Sequence, residues 1–192
     1  MSHRHPRRPL LMIAAGSLAV ISVLVGSPAS ADYFGSRYAD GGSHSMWYPS
    51  SNLGSARYDG VHYARTVSID GGTDVGTSQV SQYSVSTDVA VVMTSNPPPD
   101  LAGAFAWAQC TRPASSSICD QSTVTFNANK PHSDYRALAC HELGHTLGLK
   151  DGQFATYGSN SASAAVDRSC MRSNPDVRYY SNHDKGHING QY

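Results

Sequence analysis

Apolar positions along this chain fall into blocks of different period. The first is a continuous run over residues 10–25, sixteen positions without a charge. Further on, Leu53, Ala56, Gly60, Ala64 and Val67 recur every three or four residues, which predicts a core-facing helix weakened by Gly54 and Gly60. Residues 89–93 form a short β-branched run of the kind that fills a buried strand. Two further strands are expected: one over 104–109, reaching back to about Ala102, and one over 123–127. In the second, Val124 and Phe126 share one face and Thr123, Thr125 and Asn127 the other. Helical period returns over about 134–148, with Ser133 or Asp134 as the starting cap. Breaks are expected at 94–100 with its three prolines, at 110–119, and at 158–165. Strands of mixed spacing, one strong helix and an irregular tail predict an α+β domain with a cleft between a larger sheet part and a small C-terminal part. The strand ending at Gln109 is a candidate edge on which an extended peptide could pair.

The amino terminus reads as an address. Arg4, Arg7 and Arg8 precede the first apolar run, and Ala29-Ser30-Ala31 offers the small residues a signal peptidase needs. A signal peptide over 1–31 is therefore expected, cleaved before Asp32, with the product secreted and extracellular. The Arg7-Arg8 pair leaves the export route open between the general secretory and twin-arginine systems. The run falls short of the about 20 residues that cross a bilayer and no second one follows, so no membrane span is expected in 32–192. That stretch is expected to be a single domain and a monomer.

Charge narrows the partners. Lys plus Arg and Asp plus Glu both number 14, and only 15% of residues are charged. Removing the signal takes three basic residues and no acidic one, leaving a net charge of about −3, which argues against a nucleic-acid partner. All four cysteines, Cys110, Cys119, Cys140 and Cys170, lie downstream of the signal, and an even number in an exported chain predicts two disulfides. Cys110 and Cys119 flank a turn-rich loop, which favours sequential pairing and leaves Cys140 with Cys170. Their spacings do not suit a cysteine zinc site.

The chemistry lies on the 134–148 helix, where His141-Glu142-Leu143-Gly144-His145 is an H-E-x-x-H pattern. Residues four apart on a helix stand about 40° apart around it, so both imidazoles can reach one cation. Glu142 is the sole Glu of the chain, so a third ligand of that type is excluded. Asp151 lies six residues past His145, about 9 Å along the axis if the helix continued, too far to share an ion. Gly148 is where the helix can end and the chain turn back.

The string H-E-x-x-H-x-x-G-x-x-D, with Met171 downstream, resembles the metzincin metallopeptidases, and its Asp version looks like the snapalysin family of small secreted bacterial proteases. The resemblance implies Zn2+ held by His141, His145 and Asp151, Glu142 as general base, Gly148 as the helix-ending glycine and Met171 as the methionine of a turn beneath the metal. It also implies a twisted mixed sheet of about five strands and a polypeptide substrate lying across a cleft. Tyr179 or Tyr180 is the candidate to stabilise the tetrahedral oxyanion, as a tyrosine does in some metzincins.

A secreted zinc endopeptidase is thus expected. The alternatives are a secreted module that binds zinc or protein without turnover, and a zinc amidase acting on cell-wall peptide. The bland counterpart for the histidines and Asp151 is a solvated helix and a turn; for Met171 it is core filling. His183 and His187, also four apart, form a second candidate clamp, set against a solvated terminal helix containing Gly186.

Overall fold

The computed structural model describes residues 37–151, 168–172 and 175–192. The signal region and the break at 158–165 lie outside the described residues.

Among the described residues six strands form one mixed sheet, against about five expected: β1 (Tyr38–Ala39), β2 (Ser43–Trp47), β3 (Gly76–Gln79), β4 (Val89–Thr94), β5 (Ala106–Pro113) and β6 (Ile118–Asn127). The helices are α1 (Ser50–Leu53), α2 (Ser55–Tyr63), α3 (Tyr135–Thr146) and α4 (Asn182–Gln191), with a π-helical segment over Ala64–Ile69 and a 3-10 turn over Pro99–Leu101. Four ladders are parallel and one, β5 with β6, is antiparallel. A strand has two edges, so β5 takes one edge of β6 while β4 and the short β1 share the other. The order across the sheet is β3, β2, β4, β6, β5.

The periodicities explain most of these elements and miss some boundaries. The strand expected from about 102 begins at Ala106, because Pro99 and Asp100 turn the chain in the 3-10 segment first. It also runs on past Cys110 to Pro113, where register shifts at Cys110 and Arg112 let it bend. β6 likewise starts at Ile118, five residues before the alternating stretch, so the expected 110–119 loop shrinks to a tight hairpin turn. The helix expected through Leu53 and Val67 is divided at Gly54, whose φ of +70° only glycine adopts easily. Gly60 in α2 has a different reason: a Cβ there would stand 2.5 Å from the Tyr135 carbonyl oxygen, so α2 and α3 can approach only through that glycine.

The core lies between the sheet and the helices. Val91, Val124 and Phe126 from the central strands are buried with Leu53, Val61 and Ala64 on one side of the sequence and Leu138, Leu143 and Leu147 of α3 on the other. Burying a side chain such as Leu143 contributes about 2 kcal/mol, which fixes the rotation of α3 and therefore which of its residues face away from the core. Both disulfides follow sequential pairing, Cys110 with Cys119 and Cys140 with Cys170. Among the described residues no helix is long and apolar enough to cross a membrane.

Candidate metal centre

α3 begins at Asp134, whose carboxylate accepts from the backbone N–H groups of Arg136 and Ala137 at 3.0 and 3.1 Å. It ends at Thr146, slightly short of the expected 148, in a Schellman closure: the Leu149 N–H donates to the Gly144 carbonyl and the Gly148 N–H to that of His145. Gly148 carries the left-handed φ of +92° that this closure needs. The chain reverses there and brings Asp151 back over the helix face.

Three atoms then meet. The His141 and His145 Nε2 atoms stand 3.1 Å apart, and Asp151 Oδ1 is 2.9 Å from the first and 3.2 Å from the second. These separations match three ligands at about 2.0 to 2.2 Å from one tetrahedral ion. The other ring nitrogens settle the tautomers. His141 Nδ1 lies 2.9 Å from the Cys170 carbonyl and His145 Nδ1 2.9 Å from that of Leu149. A carbonyl oxygen can only accept, so each Nδ1 carries the proton and each neutral Nε2 turns a bare lone pair toward the shared point. Two lone pairs and a carboxylate at this distance repel unless a proton or a metal cation lies among them. The His-His-Asp group can therefore hold a metal ion.

With no ion bound, protons on the Nε2 atoms take its place: hydrogen bonds from His141 and then His145 hold the Asp151 carboxyl well below the usual carboxylate range, against the opposing effect of partial burial. Burial alone would depress His141, yet Asp151, Glu142 and the Cys170 carbonyl together keep it above the ordinary imidazole value. Glu142, on the same turn, is almost fully buried, and that desolvation raises its pKa while the two imidazoles pull it down.

Beneath this face lies the segment around Met171, which is buried, with its thioether against Gly144 of α3. The Cys140–Cys170 bond joins helix and segment, and the Cys170 N–H donates to the Tyr179 carbonyl. The two tyrosines part company. Tyr180 is buried and its hydroxyl donates to the Cys140 carbonyl at 3.0 Å, so it braces α3 from below. Tyr179 is 49% exposed. Sequence reasoning missed the carbonyls of Leu149 and Cys170, because a backbone acceptor has no residue signature.

A pocket of about 340 Å3 opens beside His145, walled by Ala108, Gln109 and Ser122 of the β5–β6 hairpin and by the Cys110–Cys119 bond. Among the described residues β5 pairs on one side only, with β6, and its Ala108 and Gln109 line the pocket beside His145.

The sequence matches no protein-family model and no curated protein. Among solved structures the chain is similar to a crystal structure of myroilysin, at 15% identity and a TM-score of 0.45, over 86% of this chain and 88% of that one. A likeness of that size carries no argument about chemistry, which rests on the geometry above.

Proposed function

We propose that the chain is a secreted zinc-dependent endopeptidase of metzincin type. The observation that supports this reading is the convergence of two imidazole lone pairs and one carboxylate oxygen beside a buried carboxyl group, next to a free strand edge. His141, His145 and Asp151 would hold the ion. When bound, zinc supplies Lewis acidity, making water a better nucleophile and a peptide carbonyl a better electrophile.

The remaining work falls to the protein. Glu142, raised by burial, accepts the proton of the attacking water and returns it to the amine nitrogen as the peptide bond breaks. The free edge of β5 pairs with an extended substrate backbone, and the pocket beside His145 takes one of its side chains. Tyr179 is the candidate hydrogen-bond donor to the tetrahedral oxyanion, while Tyr180 and Met171 position α3. A module without turnover would not need the buried Glu142, and it is this residue that favours catalysis.

The test is Glu142→Gln, which keeps size and hydrogen bonding but removes the proton acceptor. Peptide-library hydrolysis should fall by roughly 10²-fold or more with zinc content unchanged, and chelator should abolish it in the unsubstituted protein. Substantial hydrolysis by the variant would refute the mechanism, and cleavage confined to cell-wall peptides would favour the amidase reading.

A further inference from the structure

We propose that the pocket beside His145 is a carboxylate subsite, in which Arg37 binds the side chain of an aspartate or glutamate in the substrate. The proposal rests on the peptidase reading and gives it a substrate class. The pocket, of about 340 Å3, is wide enough for any side chain, so its walls rather than its size select the occupant. Among the described residues those walls hold one guanidinium, that of Arg37, and no carboxylate. Gln109 adds an amide, while Ala108 and the Cys110–Cys119 bond supply apolar surface for methylene groups.

The backbone holds Arg37 at this place. The Tyr38 N–H donates to the Ser117 carbonyl at 3.1 Å, and Tyr38 and Ala39 of β1 lie in register with Ile118 and Cys119 of β6. Arg37 therefore sits beside the β5–β6 turn, where its Nε donates to the Ser115 carbonyl at 3.2 Å. A guanidinium has five N–H donors, and this bond uses one. Among the described residues the terminal nitrogens of Arg37 and the side-chain amide of Gln109 have no protein partner. The one acidic residue of the hairpin, Asp120, is paired with Arg112 instead.

A staple for the hairpin turn would need only the Nε bond, which a neutral donor could make. The four remaining N–H groups form a planar fork that matches both oxygens of a carboxylate. Arg37 is half-buried, so solvent screens its charge only in part, and the attraction should weaken as salt is added. Glutamine is the competitor that isolates the effect, because it keeps the size of glutamate and loses the charge. From the strength of charge-assisted hydrogen bonds, a glutamate peptide should exceed its glutamine counterpart by roughly ten- to a hundredfold in kcat/KM.

The test compares kcat/KM of the full chain on peptides that differ only in carrying Glu, Gln, Lys or Phe at each position flanking the cleaved bond. Glu should exceed Gln at one of these positions, Arg37→Gln should bring that ratio close to one, and Arg37→Glu should turn the preference toward Lys. A merely structural Arg37 would lower all the peptides alike and leave the ratio unmoved. Equal rates for Glu and Gln, a preference for Phe, or a Glu preference that survives in Arg37→Gln would overturn the subsite. Free and amidated peptide C-termini separate the two sources of a carboxylate, and a gain that follows the chain end would overturn the side-chain assignment. NMR of the unsubstituted protein needs neither a folded variant nor hydrolysis: N-acetylglutamate amide should move the Arg37 Nε–H signal and N-acetylglutamine amide should not. That shift without cleavage of any peptide would sink the peptidase reading and keep the carboxylate pocket, whereas an Arg37 signal indifferent to both would overturn the pocket itself.

Discussion

Gly144→Ala is the sharpest probe of how α3 rests on the Met171 segment. In an isolated helix the change would stabilise by about 1 kcal/mol, since glycine is a poor helix former, and Gly144 has no positive φ to protect. Here the new methyl would fall well inside contact distance of Met171 Sδ and stand 3.0 Å from Tyr180 Cε1 and 3.2 Å from Met171 Cε. Neither neighbour can give way freely. Met171 is 2% exposed and follows the disulfide-bonded Cys170, and Tyr180 is held by its bond to the Cys140 carbonyl. Overpacking costs about 1 to 3 kcal/mol, and a contact this close belongs to the upper half, about 2 to 3 kcal/mol. Less the helix gain of about 1 kcal/mol, a net loss of about 1 to 2 kcal/mol is expected, or a fall of roughly 2 to 8 °C in thermal midpoint for a chain of this size. The cycle with Met171→Ala isolates the contact: the two substitutions together should cost less than their sum, by about 1 kcal/mol. Calorimetric midpoints of the four proteins make the measurement. A Gly144→Ala midpoint equal to or above the parent, or strict additivity in the cycle, would refute the claim that this glycine exists to admit the thioether.

Three further outcomes are expected. Asp151→Ala should lower zinc affinity sharply while the fold holds, checked by titration against a competing chelator; full occupancy would remove Asp151 from the ligand set. Breaking Cys140–Cys170, which spans 30 residues, should cost about 3.6 kcal/mol by the chain-entropy argument, against about 2.6 for Cys110–Cys119, which spans 9. Only the first should also deplete zinc, so double-serine variants are compared by midpoint and metal content, and equal losses would contradict the assignment. Asp134 gives an acid-side signature: burial would raise its pKa, but the Arg178 hydrogen bond and the amides of Ala137 and Arg136 hold it lowered. Its stabilisation is therefore present above the unfolded aspartate value of about 4 and lost as pH falls through the folded one. Asp134→Asn keeps the cap but should flatten that limb of the stability profile; an unchanged profile would show that the charge contributes nothing.

The sequence announced what local chemistry dictates and little of what distant contacts impose. His141, Glu142 and His145 were legible because one helical turn suffices to bring them together, and Asp151 because Gly148 marked where the helix must stop. β4 and the core of β6 were legible from β-branched and alternating runs. The strands β1, β2 and β3 left no signal: they are short, partly exposed, and exist because parallel partners far along the chain hold them. The break of the first helix and the π-helical segment after it answer to packing, with Arg65 of that segment reaching the Tyr48 hydroxyl, Thr77 and Asp70. Tyr179 and Tyr180 look equivalent in sequence, and only burial tells them apart.

The Schellman closure after α3 has a further consequence for which changes in chain length this protein tolerates. Surface connections usually accept insertions and deletions with little cost. The five residues between His145 and Asp151 are a measured length instead. The third of them supplies the turn glycine, the fourth the carbonyl that fixes the His145 tautomer, and their number sets the Asp151 carboxylate within 3.2 Å of both imidazoles. Adding or deleting a single residue there displaces all three relations together, so natural and engineered length variation is expected to stop at His145 and to resume only beyond Asp151.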